Sequence, residues 1–240
     1  MESPFNRFAE TYRKLMPGAL QQFLTNQDLQ SFLKTRYEFL ENKSREIEIR
    51  IQDPQDFPWL INASTIEVCM PDSPFITDTI LDYLGSEGHR IHLSIPALFS
   101  VVRKGSIQSL EPVTGLDTTE AFVYVEVQKL SEKEKKTVEK DLRRNLQELR
   151  QVVEDFPVAL EQLRELNLPN EDLQEDRKWI SDNFVTLGSG FVVGDRLQKP
   201  TGLFREGSIR KQAMADLQTL FDYRGLTSDG VQGNQAPETL

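Results

Sequence analysis

Cysteine occurs once in this chain, at Cys69, and histidine twice, at His89 and His92. A single thiol cannot close an internal disulfide, so a reducing, cytosolic compartment is the natural reading. Two histidines in an H-x-x-H spacing on a strand place their rings on opposite faces, which argues against a shared metal ion. Basic residues are short as well: 28 Lys and Arg stand against 38 Asp and Glu, a net charge of -10. That balance argues against nucleic acid and anionic membrane as partners, since both need clustered cations. No apolar run approaches the roughly 18–20 residues that span a bilayer. Met1 to Leu20 carries acids and no apolar core of a signal peptide, so a soluble protein without a secretory leader is expected. No P-loop, H-E-x-x-H or C-x-x-C is present.

What is there suffices for a core. Apolar residues make up 38% of 240 and charged residues 28%, enough for one large domain with a well-solvated surface. Residues 1–42 read as helical. Phe5, Phe8, Tyr12 and Leu15 form one stripe, Pro17-Gly18 breaks it, and Leu29, Phe32, Leu33, Tyr37 and Leu40 form a second. Asp28 is placed to cap that second helix. The period then changes to two. Glu46–Ile51, Thr65–Met70, Arg90–Ile95, Leu98–Arg103, Ser106–Leu110 and Ala121–Val127 read as strands, with Asp53–Pro58 a loop, Pro96 an interruption and Lys104-Gly105 a tight turn.

Between the strands at Thr65 and Arg90 lies a helix. Ser73 is expected as its N-cap and Pro74 as its first residue, with Ile76, Ile80 and Leu84 inward and Gly88 as the stop. Ser131-x-x-Glu134 is a capping box for a long helix with Val138, Leu142, Leu146, Leu149 and Val153 inward. Pro157 is expected to break or kink it before a further helical stretch at Ala159–Leu166. Asp172–Asn183 reads as helix, Phe184–Val193 as a final strand, and 208–224 as an amphipathic helix (Ile209, Leu217, Leu220, Phe221). Residues 227–240 read as disordered. The resulting fold class is α+β: a mixed or antiparallel sheet with helices on one face. The expected division is 1–42 as an N-terminal helical extension, 43–195 as the α+β domain, and 196–240 as a helical segment with a disordered tail.

Few residues invite a chemical role. Cys69 on a strand with distant histidines reads as a packing residue. Gly188-Ser189-Gly190 lacks a third glycine and leads into the β-like Phe191-Val192-Val193, so it reads as a turn or bulge rather than a dinucleotide loop. The acid-rich runs Glu132–Glu134 and Glu171–Asp176 read as solvated helix faces. Asp72, Ser73, Pro74, Phe75 and Asp78 differ, because they sit where a strand turns into a helix. There Asp72 is either a structural cap or the polar wall of an effector site.

Asp72-Ser73-Pro74-Phe75, followed by Ile80, Leu84, Gly88 and Ile91, resembles the D-x-P-G pattern of ACT domains. These are βαββαβ modules that pair side by side and often bind amino acids. A longer resemblance is to the large bacterial NAD-specific glutamate dehydrogenases. Asp72-Ser73-Pro74-Phe75-Ile76-Thr77-Asp78-Thr79 is similar to that family's D-M-P-F-L-V-D-S, Val153-Glu154-Asp155-Phe156-Pro157 to its V-E-D-W-P, and Trp179–Gly188 to its W-L…F-T-F-L-G. The runs occur in family order across about residues 5–195. Phe75 stands where effector-binding ACT domains have glycine, and its ring would fill space a ligand uses; the large dehydrogenases share this phenylalanine. The family's L-G-Y-R continuation is Gly188-Ser189-Gly190-Phe191 here.

The resemblance implies an ACT-like (ferredoxin-like βαββαβ) sandwich with added terminal helices. It implies a non-catalytic regulatory or assembly domain, with no catalytic, cofactor-binding or metal-binding residue in this chain and NAD used by the parent enzyme. Partners implied are further copies or neighbouring domains, and an amino-acid effector near Asp72, Ser73, Pro74, Phe75 and Asp78. The alternatives are a structural oligomerisation module without ligand, a stand-alone amino-acid-binding protein, and an independent small enzyme.

Overall fold

The computed structural model describes residues 3–54, 62–113, 119–166, 168, 170–193, 196–205, 211–212 and 215–216. The chain divides into two compact units, Met1–Gln147 and Glu148–Leu240. The first holds helices α1 (Pro4–Leu15), α2 (Gly18–Phe23) and α3 (Asn26–Glu41), strands β1 (Glu48–Gln52) and β2 (Ala63–Pro71), and helix α4 (Ile76–Ser86). Strands β3 (Ile91–Lys104), β4 (Ser106–Pro112) and β5 (Thr119–Gln128) follow, then the N-terminal part of α5 (Glu132–Arg164). The second unit holds the rest of α5, α6 (Glu171–Asn183), the short strands β6 (Phe191–Val193) and β7 (Arg196–Gln198), and a 3₁₀ turn at Gly202–Phe204.

The five main strands lie in the order β1-β2-β5-β3-β4, and every pairing is antiparallel. Strands β2 and β3, joined through α4, flank β5, which runs against both. This is a split β-α-β arrangement. The βαββαβ order expected from the resemblance is not followed. Strand β1, which precedes the α4 crossover, holds the edge beside β2, and β4 adds a hairpin at the opposite edge. The expected final strand at Phe184–Val193 is absent from this sheet. Residues 184–190 have no regular structure, and β6 pairs only with β7.

Residues of β2 and β5 are buried on both faces, apart from their ends. Alternation sends Ile66, Val68 and Met70 to one side, opposite Val125, Val123 and Ala121, while Cys69 and Glu67 go to the other with Phe122 and Tyr124. Helices therefore cover two faces, not the one expected. On the second side Phe8 and Tyr12 of α1 and Phe32, Leu33 and Leu40 of α3 pack with Phe99, Phe122 and Tyr124. Phe8 stacks on Tyr12 at 5.1 Å, and Phe32 meets Tyr124 edge-on at 5.4 Å. Each such ring contributes about 2–3 kcal/mol by burial. The first side receives the inward stripes of α4 (Ile76, Ile80, Leu84) and α5 (Val138, Leu142, Leu146), and Tyr83 of α4 hydrogen-bonds Asp141 of α5.

Local chemistry explains most boundaries. Thr25 and Asp28 form a reciprocal capping box at α3, so Asp28 serves as the third helical residue rather than the cap. Ser131 and Glu134 do the same for α5. Gly88 (φ 76) ends α4 and Gly105 (φ 82) turns β3 into β4, both in the left-handed region that glycine tolerates. Pro96 does not interrupt β3. Strand β4 ends at Pro112 opposite Phe99, so no β4 strand lies beside Pro96 to demand an N–H. Pro157 does not end α5 either; the helix continues to Arg164 despite the one lost hydrogen bond. The loop residues 55–58 and most of the segment at 208–240, including Ile209, Leu217, Leu220 and Phe221, lie outside the described residues.

Candidate functional site

The turn from β2 into α4 departs from its expected form. The Asp72 backbone N–H donates to Thr119 O at 2.9 Å, tying the end of β2 to the start of β5. Helix α4 then begins at Ile76, not at Pro74. Its cap is Phe75, held left-handed at φ 68, ψ 11, and among the described residues no side chain caps the first turn. Ser73 is therefore not the N-cap. A left-handed residue inserted after Pro74 carries the helix start beyond its reach, and its buried Oγ makes no hydrogen bond among the described residues. Asp72 does not cap either and remains exposed; Asp78 sits in the first turn, where the helix dipole favours a carboxylate.

These residues rim a groove of ≈ 520 Å³. Leu15 of α1, Phe75, and Pro96 and Leu98 of β3 supply its apolar wall; Asp72 and Asp78 are its only charged lining residues among those described. The structure thus brings Asp72, Ser73, Phe75 and Asp78 to one groove, while Pro74 stays exposed at the turn. Phe75 is half-exposed, so its ring neither plugs the core nor explains its backbone. A left-handed non-glycine residue costs about 1–2 kcal/mol. Phe75→Gly is accordingly expected to be more stable than Phe75→Ala by about 1 kcal/mol, reversing the usual order. Urea midpoints of the two variants decide this; an equal or more stable alanine would show that the position does not need φ > 0.

The strongly buried charges lie elsewhere. Arg36 and Glu67 are both inaccessible to solvent; Glu67 lies 3.6 Å from Arg36 and 2.6 Å from Arg50. Arg36 also stacks over Phe32 and Tyr124, at 4.0 and 4.5 Å from the ring centres. A second cluster has Glu120 taking two hydrogen bonds from Arg103, at 3.0 and 2.7 Å, and one from Lys43 at 3.0 Å. Arg103 also donates to Leu40 O at 2.8 Å, fastening the C-terminal end of α3 to the sheet. Burial pushes the Glu120 carboxyl up, but Arg103 and Lys43 outweigh it and hold it below its ordinary range. Burial and the nearby Glu120 carboxylate push the Cys69 thiol well up, which suits a packing residue and not a nucleophile. Sequence reasoning passed over Arg36, Glu67, Arg103 and Glu120. The available signal was phase: Glu67 shares a strand face with Thr65 and Cys69, and Arg36 falls within the apolar stripe of α3.

Glu126 behaves in the opposite way. Burial raises its carboxyl above the ordinary value, against the hydrogen bond from Tyr124 at 2.7 Å and the charges of Arg36 and His92. A raised carboxyl holds its proton in the folded chain over a range where the unfolded chain has lost it. Its contribution is favourable in acid and is lost as pH rises through the raised value. Glu126→Gln is therefore expected to raise the melting temperature near neutral pH, with the gain vanishing toward about pH 4. A gain that persists unchanged in acid would refute this origin.

In the second unit, Asp155 accepts from the Gly202 backbone N–H at 2.7 Å and pairs with Arg205. Gly188-Ser189-Gly190 runs beside Thr201, with Ser189 N–H donating to Thr201 Oγ1 at 2.8 Å. A Cβ on Gly188 would lie 2.5 Å from Thr201 O, so this glycine admits a neighbouring backbone and not a pyrophosphate. The residues of this G-x-G do not fit NAD. Among the described residues no group of three or more His, Cys, Asp or Glu could hold a metal ion, and no helix is long and apolar enough to cross a membrane.

Comparison with known proteins adds two findings. Residues 8–142, which fall inside the first compact unit, match the family model described as glutamate dehydrogenase, ACT1 domain. The NAD-specific glutamate dehydrogenase of Pseudomonas aeruginosa is 31% identical over 170 residues, covering 62% of this chain and 10% of that protein. The chain thus spans about a tenth of the length of the curated relative it matches.

Proposed function

This chain belongs to the glutamate dehydrogenase ACT1-domain family, and from that membership we propose that it acts as a non-catalytic regulatory and assembly domain of an NAD-dependent glutamate dehydrogenase. In this reading the oxidation of glutamate to 2-oxoglutarate and ammonia is carried out elsewhere, in a cytoplasmic enzyme. The domain packs against further copies or neighbouring domains. An amino-acid effector held at the β2–α4 turn shifts that packing, which it can do only by binding one arrangement more tightly.

The observation that carries this reading is Phe75. A left-handed phenylalanine persists only where its surroundings over-determine it, and such positions concentrate at ligand clamps and switch regions. It lies at the mouth of an apolar groove, beside a helix start whose first-turn N–H groups no side chain among the described residues caps. The half-exposed ring also supports the second reading, a structural contact without ligand, because an exposed aromatic makes a good packing anchor. Incubation of the purified chain with glutamate and NAD is expected to give no reduction of NAD. Turnover by this chain alone would overturn the assignment of catalysis to another domain.

A further inference from the structure

Helix α6 is thirteen residues long, yet only Ser181 along it is buried. A helix of this length is marginal in water and normally owes its stability to a buried apolar face. Here the apolar residues face outward: Trp179 is 59% exposed, Ile180 42% and Leu173 40%. Phe184, just past the helix end, is also exposed and meets Trp179 edge-on at 5.2 Å. At 3.6 residues per turn, Leu173, Trp179 and Ile180 share one side of α6. Asp176 sits among them, one turn from each, and Asp172 adjoins Trp179 two turns away. Both aspartates are exposed. The two cations of α6 itself do not neutralise this side. Arg177 is turned to the backbone oxygens of Arg164 and Leu166, and Lys178 projects from the opposite side of the helix.

We propose that this face of α6 docks a basic amphipathic polypeptide segment, one carrying Lys or Arg beside bulky apolar side chains. Contiguous exposed apolar surface marks interaction sites, and aromatic anchors dominate their energetics. The charge pattern selects the occupant. Two aspartates within the apolar face attract a cationic partner. A second copy would set Asp172 and Asp176 against their own counterparts, and an anionic lipid surface would be repelled in the same way.

The test follows Trp179 emission in a Trp59→Phe background, titrated with a synthetic amphipathic helix of leucine and lysine. A peptide with glutamate in place of lysine is the control. Trp179 is expected to emit as a solvent-exposed indole in the free chain and to shift to shorter wavelength with the lysine peptide but not with the glutamate peptide. Asp172→Asn with Asp176→Asn should weaken binding roughly tenfold and flatten its salt dependence. Ile180→Ser should weaken it without that loss of salt dependence. Four results would overturn the proposal: a buried-type Trp179 emission in the free chain, equal binding of the two peptides, an unchanged affinity in the double aspartate variant, or no binding of the lysine peptide.

Discussion

Glu67→Ala is expected to destabilise the first unit by about 3–5 kcal/mol, the usual loss when one partner of a fully buried ion pair is removed. Glu67 is the anion for Arg36 and Arg50, and both it and Arg36 are shielded from water. Removing the carboxylate takes away the anion 3.6 Å from the Arg36 guanidinium, which stays buried between Phe32 and Tyr124, while Arg50 is partly exposed and can turn toward solvent. Desolvation of Arg36 therefore outweighs the loss of the contact itself. The companion variant Glu67→Leu with Arg36→Met removes both charges and should recover most of the loss, since apolar replacements of a buried pair are often neutral. Urea unfolding of the single and double variants measures the difference. A single variant within about 1 kcal/mol of the parent would mean that water reaches this site.

The second large effect is expected at Gly202. Its φ is +52, and a Cβ there would lie 2.1 Å from Leu187 O, a backbone atom that cannot swing aside. Gly202→Ala combines left-handed strain with this overlap, so the second unit should lose at least about 2–3 kcal/mol. The consequence is local. The Gly202 N–H that Asp155 accepts and the Leu203 N–H that bonds Leu187 O, at 3.0 Å, both depend on this close approach. Limited proteolysis should show new cleavage near residues 187–205 in Gly202→Ala, with the first unit unaffected. Unchanged cleavage would show that Leu187 and Gly202 do not approach so closely.

How far the sequence could be read depended on which forces act locally. The stripes of α3 and α4 were legible because their burial is one-sided, as were those of α1 and α5 except toward their C-terminal ends, where Leu15 is exposed and Val152 is buried in place of Val153; so were the strands from Glu48 to Gln128, whose period of two is strong. The positions of Gly88, Gly105 and the Ser131–Glu134 box followed from backbone chemistry alone. The order of strands was not legible. Nothing local tells Glu48–Gln52 to fill the edge beside β2, or Phe184–Gly190 to stay out of the sheet. Both faces of β2 and β5 being covered was visible only in part, as apolar residues at alternate and intervening positions such as Phe122 and Val123. At the site, Asp72–Asp78 could be singled out as a strand-to-helix turn, but the start of α4 was misplaced by two residues. A serine followed by proline is a strong cap pattern, yet Phe75 is left-handed after it and the helix starts at Ile76. The ion pairs of Glu67 and Glu120 were missed because a single acid within an apolar strand reads equally well as an outward residue.

Binding of an amino-acid effector at the β2–α4 turn, as proposed, is measured by titration calorimetry of this chain with a panel of amino acids, glutamate included. Saturable heat is expected with at least one of them, lost when Asp72 and Asp78, the charged rim of the groove, are replaced by alanine. Silent titrations across the whole panel, or heat that survives in that variant, would contradict it.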